Sequence, residues 1–99
     1  MRRLKNVHPG EVLREEFLIP LNISAYRLAK ETGLSQTRLG QIIREKRRMT
    51  AEIALKLGKA LRMSPEFWMN LQTQYDIEEA SRAYKKNLIH IHPIKASAA

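Results

Sequence analysis

Cysteine is absent from these 99 residues. That excludes a disulfide framework, a thiolate zinc site and a cysteine nucleophile, and it agrees with a reducing compartment. No apolar run approaches the roughly 18 residues of a membrane span. Arg2 and Arg3 precede Leu4, but no signal-type apolar segment follows, so a cytoplasmic protein with no membrane partner is expected. Catalytic groups are scarce too. Three histidines and two short acidic groups, Glu15-Glu16 and Asp76 with Glu78-Glu79, make no plausible catalytic set. No enzyme activity, cofactor or metal is expected. His90-x-His92 would place two imidazoles on one side of a strand, yet a solvent-facing edge strand is the simpler reading. Glycine and proline number four each and sit where helices start or stop, apart from Gly40 and Gly58. There is no internal repeat, no Gly/Ser linker and no low-complexity block.

What is present is positive charge. The formal net charge is +8 and the pI about 10.2. Within residues 27–62, ten Lys or Arg face three Glu. Most of the imbalance thus falls in one stretch, and phosphate is the dense anion such a stretch attracts.

The pattern along the chain is helical. His8-Pro9-Gly10-Glu11 reads as a helix start, with proline in the first turn and an acid at the positive end of the dipole. Val12, Leu13, Phe17 and Leu18 form the apolar stripe, and Pro20 ends it. Ser24 caps a second helix from residue 25 to about 31, with Leu28 and Ala29 inward. Gly33 supplies a left-handed break. Ser35 caps a third helix over residues 36–44, with Leu39, Ile42 and Ile43 apolar. After the charged segment Glu45-Lys46-Arg47-Arg48, Thr50 caps a fourth helix over 51–61. Ser64-Pro65-Glu66 opens a fifth, reaching residue 84 or 86. Residues 88–92 alternate in a way that predicts a short edge strand. The expected organisation is a flexible basic arm over 1–7, an all-α domain over 8–86 and a tail over 87–99.

The stretch from Ala25 to Ile43 has the layout of a helix-turn-helix. A small residue at Ala29 lets two helices cross closely. Gly33 makes the turn, and Leu28, Leu34, Leu39 and Ile42 pin the second helix on the first. Its outer face is then free to enter a major groove. Two amphipathic helices of any bundle share part of this pattern. The outward residues tip the reading, because they are short or hydrogen-bonding rather than acidic. Gln36, Thr37 and Gln41 are the candidate base readers, glutamine being suited to bidentate pairing with adenine. Ser24, Tyr26, Arg27, Ser35, Arg38 and Arg44 are candidate backbone contacts, with Lys46, Arg47 and Arg48 gripping the flanking strand. A single reading helix covers few base pairs, so a homodimer on double-stranded operator DNA is expected. Phe67, Trp68, Leu71 and Tyr75 on the fifth helix are the candidate dimer residues, with internal core as the competing role for Trp68 and Tyr75.

The chain also resembles HigA/VapI-type antitoxins of HigBA toxin–antitoxin modules, within the Cro/repressor-like helix-turn-helix superfamily. The match is carried by His8-Pro9-Gly10-Glu11, Leu13-Arg14-Glu15-Glu16-Phe17, Leu28-Ala29, Gly33, Arg47-Arg48-Met49-Thr50 and Ala54-Leu55-Lys56-Leu57. Ser64-Pro65-Glu66-Phe67-Trp68-Met69-Asn70-Leu71-Gln72, followed by Gln74-Tyr75-Asp76, is the most specific part. The resemblance implies five helices, dimerisation through C-terminal helices, autorepression of the operon and binding of a HigB-like mRNA-cleaving toxin. It places base reading on Gln36, Thr37 and Gln41. The chain departs from the family at Glu45-Lys46, where a Gly-Lys turn is common, and residues 81–99 match no pattern. Toxin-contacting residues do not transfer. A free-standing repressor of the same fold, without a toxin, is the alternative. RNA binding lacks an aromatic stacking platform in the basic stretch, where only Tyr26 is near.

Overall fold

The computed structural model describes residues 5–96, and every element in it is helical. α1 is Pro9–Val12 and runs on as a wider π-helical turn over Leu13–Leu18. α2 is Ala25–Thr32, α3 Gln36–Ile43, α4 Ala51–Leu61, α5 Pro65–Ala83 and α6 Lys85–Leu88. Expectations for residues 1–4 and 97–99 lie outside the described residues. Among those described there is no strand and no helix long and apolar enough to cross a membrane.

The boundaries follow local chemistry. Ser24, Ser35, Thr50 and Ser64 all accept a hydrogen bond from the backbone N–H three residues on, which satisfies one donor each helix start leaves open. Gly33 stands at φ 77° and ends α2, where a side chain would be strained. Among the described residues, three other helix ends use the left-handed conformation without glycine, the first at Asn22 (φ 54°) after the π turn. Arg62 closes α4 at φ 58°, and Glu45 follows α3 at φ 63°. At Glu45 the N–H groups of Glu45 and Lys46 bond back to Ile42 and Gln41, at 2.9 and 2.7 Å. This is a Schellman closure with glutamate at the position that favours glycine. The unusual Glu45-Lys46 pair therefore keeps the tight turn, at the cost of left-handed strain.

Leu13, Leu18, Leu28, Ala29, Leu34, Leu39, Ile42, Met49, Ile53, Ala54, Leu57 and Trp68 form one core. The π turn serves it. Its bonds run i→i+5, so residues five apart stack on one face, which brings both Leu13 and Leu18 inward. Gly10 is an unforeseen close contact. A Cβ there would stand 1.8 Å from the Ile42 carbonyl oxygen, so glycine lets the start of α1 lie on the end of α3. Gly58 lacks space of the same kind, but its neighbour is the Met63 backbone rather than another helix.

Three expectations are corrected. Residues 88–92 do not form an edge strand. Residues 85–88 make the turn α6, and His90 and Ile91 bond locally to Asn87 and Leu88, at 3.2 and 3.0 Å. The arm over 1–7 is tied down in its described part, since the Asn6 side chain donates to the Tyr75 carbonyl (3.0 Å) and to Glu79 (2.9 Å). Trp68 is 0 % exposed and packs on Phe17 and Phe67 with ring centroids 5.1 and 5.0 Å away. It is core of its own subunit and not a dimer contact.

His8 joins α1 to α5. It is 3 % exposed, its Nδ1 accepts the Gly10 N–H at 2.9 Å, and its ring meets Tyr75 edge-on. Burial lowers its pKa below the ordinary 6.5, against opposing pulls from Glu45 and Asp76. The unfolded chain therefore takes up the proton first, and stability falls as pH drops below about 6.5. His8→Asn keeps an acceptor for the cap but does not titrate. Urea unfolding at about pH 7.5 and pH 5.5 should show a smaller acid loss for His8→Asn than for the parent chain. An equal loss in both removes His8 as the cause.

Candidate nucleic-acid interface

α2 and α3 pack through Leu28 and Ala29 on one side and Leu39 and Ile42 on the other. Leu39 and Ile42 are both 0 % exposed. Because they take the inner face of α3, the opposite face stands clear of the subunit. Gln36 and Thr37 are exposed on it, and Gln41 is half-buried.

The expected backbone contacts surround that face. Ser24 and Ser35 are exposed, and their oxygens accept the Arg27 and Arg38 N–H groups at 3.0 and 3.1 Å. Tyr26 and Arg27 are exposed on the first turn of α2. Arg44 is exposed, with its guanidinium lying across Gly40, so an approach to that glycine passes a flexible side chain. Lys46, Arg47 and Arg48 are exposed in the loop after α3.

Several of these cations hold an intramolecular partner. Arg38 bridges to Glu52 at 3.1 Å, and Lys56 reaches the same carboxylate at 2.6 Å. The two together hold Glu52 at about 2, with Lys56 the larger cause. Arg48 bridges to Asp76 at 2.8 Å and holds that carboxyl below its usual range. Arg47 donates from Nε to the Gln41 Oε1 at 2.8 Å.

The residues that shape this interface from behind were not foreseen. Gln72 on α5 is 2 % exposed. Its Oε1 accepts the Met49 N–H at 2.6 Å, and its Nε2 donates to Asp76 at 2.9 Å. α5 thus braces the loop through Gln72 directly and through Asp76 to Arg48. One signal was available: Gln72 lies one helical turn after Trp68, on the same buried face. Arg14 braces the other side, donating to the Ile43 carbonyl and pairing with Glu45 at 3.4 Å. The dimer candidates Phe67, Leu71 and Tyr75 are half-buried, and the rings of Phe67 and Tyr75 already meet Phe17 and His8. Among the described residues no cluster of three or more His, Cys, Asp or Glu stands ready for a metal.

Two capped helices, a left-handed glycine between them and an open face on the second define a helix-turn-helix. Residues 13–68 match the helix-turn-helix family profile. Virulence-associated protein I of Dichelobacter nodosus is 40 % identical over 92 residues, covering 93 % of this chain and 84 % of its own. Antitoxin HigA-1 of Vibrio cholerae is 33 % identical over 99 residues, covering 98 % and 93 %. The structure of Pseudomonas aeruginosa antitoxin HigA with the higBA promoter superposes with a TM-score of 0.87 at 38 % identity, covering 92 % of this chain and all of that one. The chain belongs to the helix-turn-helix family, on the branch that holds HigA and virulence-associated protein I.

Gln72→Leu fills a similar volume but leaves the buried Met49 N–H without its acceptor. It should cost about 1–3 kcal/mol in urea unfolding and speed amide exchange at Met49. An unchanged midpoint with unchanged Met49 protection counts against the brace.

Proposed function

We propose that this chain is a sequence-specific DNA-binding antitoxin that represses its own operon and neutralises a HigB-like mRNA-cleaving toxin, acting as a homodimer. The observation that carries the DNA half is the open face of α3, with Gln36, Thr37 and Gln41 opposite the buried Leu39 and Ile42. A helix so mounted fits a major groove, and glutamine side chains address base edges there. The basic loop after α3 and the start of α2 supply cations and N–H groups for flanking phosphates. The HigA relative solved with the higBA promoter supports the same use of the fold. The antitoxin half rests on kinship with HigA-1 and HigA.

The dimer surface is best placed at the C-terminal end. Ile77 on α5, Tyr84 at the junction of α5 and α6, and Leu88 at the end of α6 are all exposed, an apolar series toward the C-terminal end. Ile89, Ile91 and Ile94 extend the apolar area. The radius of gyration is 17.6 Å, against roughly 13 Å for a compact domain of about this length. The excess reflects an elongated molecule, 58 Å along its longest axis. A second copy lying along this end would cover the series and set two α3 helices on half-sites about 34 Å apart.

Gel shifts on matched and scrambled duplexes test the DNA reading. Gln36→Ala should cost roughly 1–3 kcal/mol on the matched duplex and little on the scrambled one. Lys46→Ala should weaken both alike and lower the salt slope by about 1. Equal loss on both duplexes for Gln36→Ala refutes its reading role. The dimer reading has its own measurement: Ile77→Glu with Leu88→Glu should halve the mass in sedimentation while the helical signal is kept. An unchanged mass moves the interface elsewhere.

A further inference from the structure

Gln41 is commonly the kind of residue expected to pair with adenine, accepting from N6 and donating to N7 at once. That use needs both ends of the carboxamide turned toward the base. Here one end is engaged. The Arg47 Nε stands 2.8 Å from the Gln41 amide. An arginine offers only donors, so the amide atom facing it must be the oxygen. The amide orientation is thereby set by chemistry: oxygen toward the loop, NH2 away from it. The Gln41 side is half-buried and Arg47 is exposed. The backbone between them is tightly closed, since the Lys46 N–H bonds back to the Gln41 carbonyl at 2.7 Å and Glu45 is left-handed. The loop that carries Arg47 is further held from behind by Gln72 through Met49. Arg47 therefore projects from a loop whose backbone is held on both sides.

We infer that Arg47 is a specificity-determining residue: by turning the Gln41 oxygen toward the loop it leaves the NH2 donors as the end of Gln41 that faces a base, so that Gln41 reads the acceptor edge of guanine rather than adenine. The inference rests on the proposed reading of DNA by α3. Guanine offers O6 and N7 side by side in the major groove, both acceptors, whereas adenine offers one acceptor and one donor. A carboxamide with its oxygen turned away and a cation beside it meets the adenine N6 donor poorly. The terminal nitrogens of Arg47 remain for a phosphate, so one side chain both grips the backbone and sets the polarity of its neighbour.

The test is selection from a randomised duplex library with the full-length chain, followed by binding to single-base variants of the enriched site. The parent chain should enrich a site with a guanine that Gln41→Ala leaves undefined. Arg47→Ala frees the oxygen and should move the preference at that pair toward adenine by about tenfold, with the other positions unchanged. Gln41→Glu retains a partner for Arg47 but loses the donors, and should abolish the guanine preference. Loss of affinity by the same factor on every duplex in Arg47→Ala, with the guanine preference intact, overturns the inference while leaving DNA reading in place. Adenine at the Gln41-dependent position in the parent site overturns it equally. A parent chain that enriches no site at all refutes the reading of DNA by α3, and this inference with it.

Discussion

The buried seam between α2 and α3 decides everything outside it. Leu39 and Ile42 are fully enclosed, and burying side chains of that size stabilises by roughly 1.5–3 kcal/mol each. A rotation of α3 about its axis would expose them and bury Gln36 or Gln41 in their place. The second loss is steeper than the first, because a buried amide without partners is itself costly. The direction in which α3 presents its polar face is thus set by the core. Ala29 permits the close crossing, and Gly33 lets the chain turn within two residues of the next cap.

The end of α3 receives support from three directions. Gly10 lets the start of α1 lie on the Ile42 carbonyl, Arg14 donates to the carbonyl of Ile43, and the turn at Glu45 folds two N–H groups back. Those carbonyls are among the four that a helix end leaves open. Beyond them, Gln72 takes the Met49 N–H. The segment between α3 and α4 has no regular structure of its own, so its order derives from these outside partners. His8 and Tyr75 bring α1 and α5 together beside the same region.

What could be read in advance was local. Ser24, Ser35, Thr50 and Ser64 announce helix starts because the cap and its donor lie three residues apart. Gly33 announces its turn, and the spacing of Ile53, Ala54, Leu57 and Leu61 delimits α4. The failures involve partners distant in the chain. Gln72 meets an N–H 23 residues away. Gly10 is needed because of Ile42, and Trp68 is enclosed because Phe17 reaches it. The π turn is invisible to a search at helical spacing, since Leu13 and Leu18 fall out of phase in an ordinary helix. Residues 88–92 alternate as a strand would, but no second strand exists among the described residues to take their backbone bonds. Local turns at Asn87 and Leu88 satisfy them instead. The outward face of α3 was legible because it follows from the seam. The pairing of Arg47 with Gln41 was not, because it depends on the path of the loop.

The positive charge of the interface is less free than composition suggests. Arg38, Arg48 and Lys56 each hold a carboxylate, and Glu52 serves two of them. Such exposed pairs are weak, so a phosphate can replace the carboxylate with little opposition. Releasing the counterions condensed on a duplex then favours the exchange. In the absence of an anion the same pairs bias Arg38, Arg48 and Lys56 toward the surface. Binding that begins from ordered cations loses less side-chain entropy than binding from disordered ones. On the proposed reading of DNA, the carboxylates of Glu52 and Asp76 occupy the place a phosphate would take against Arg38 and Arg48, and are weak enough to be displaced by it.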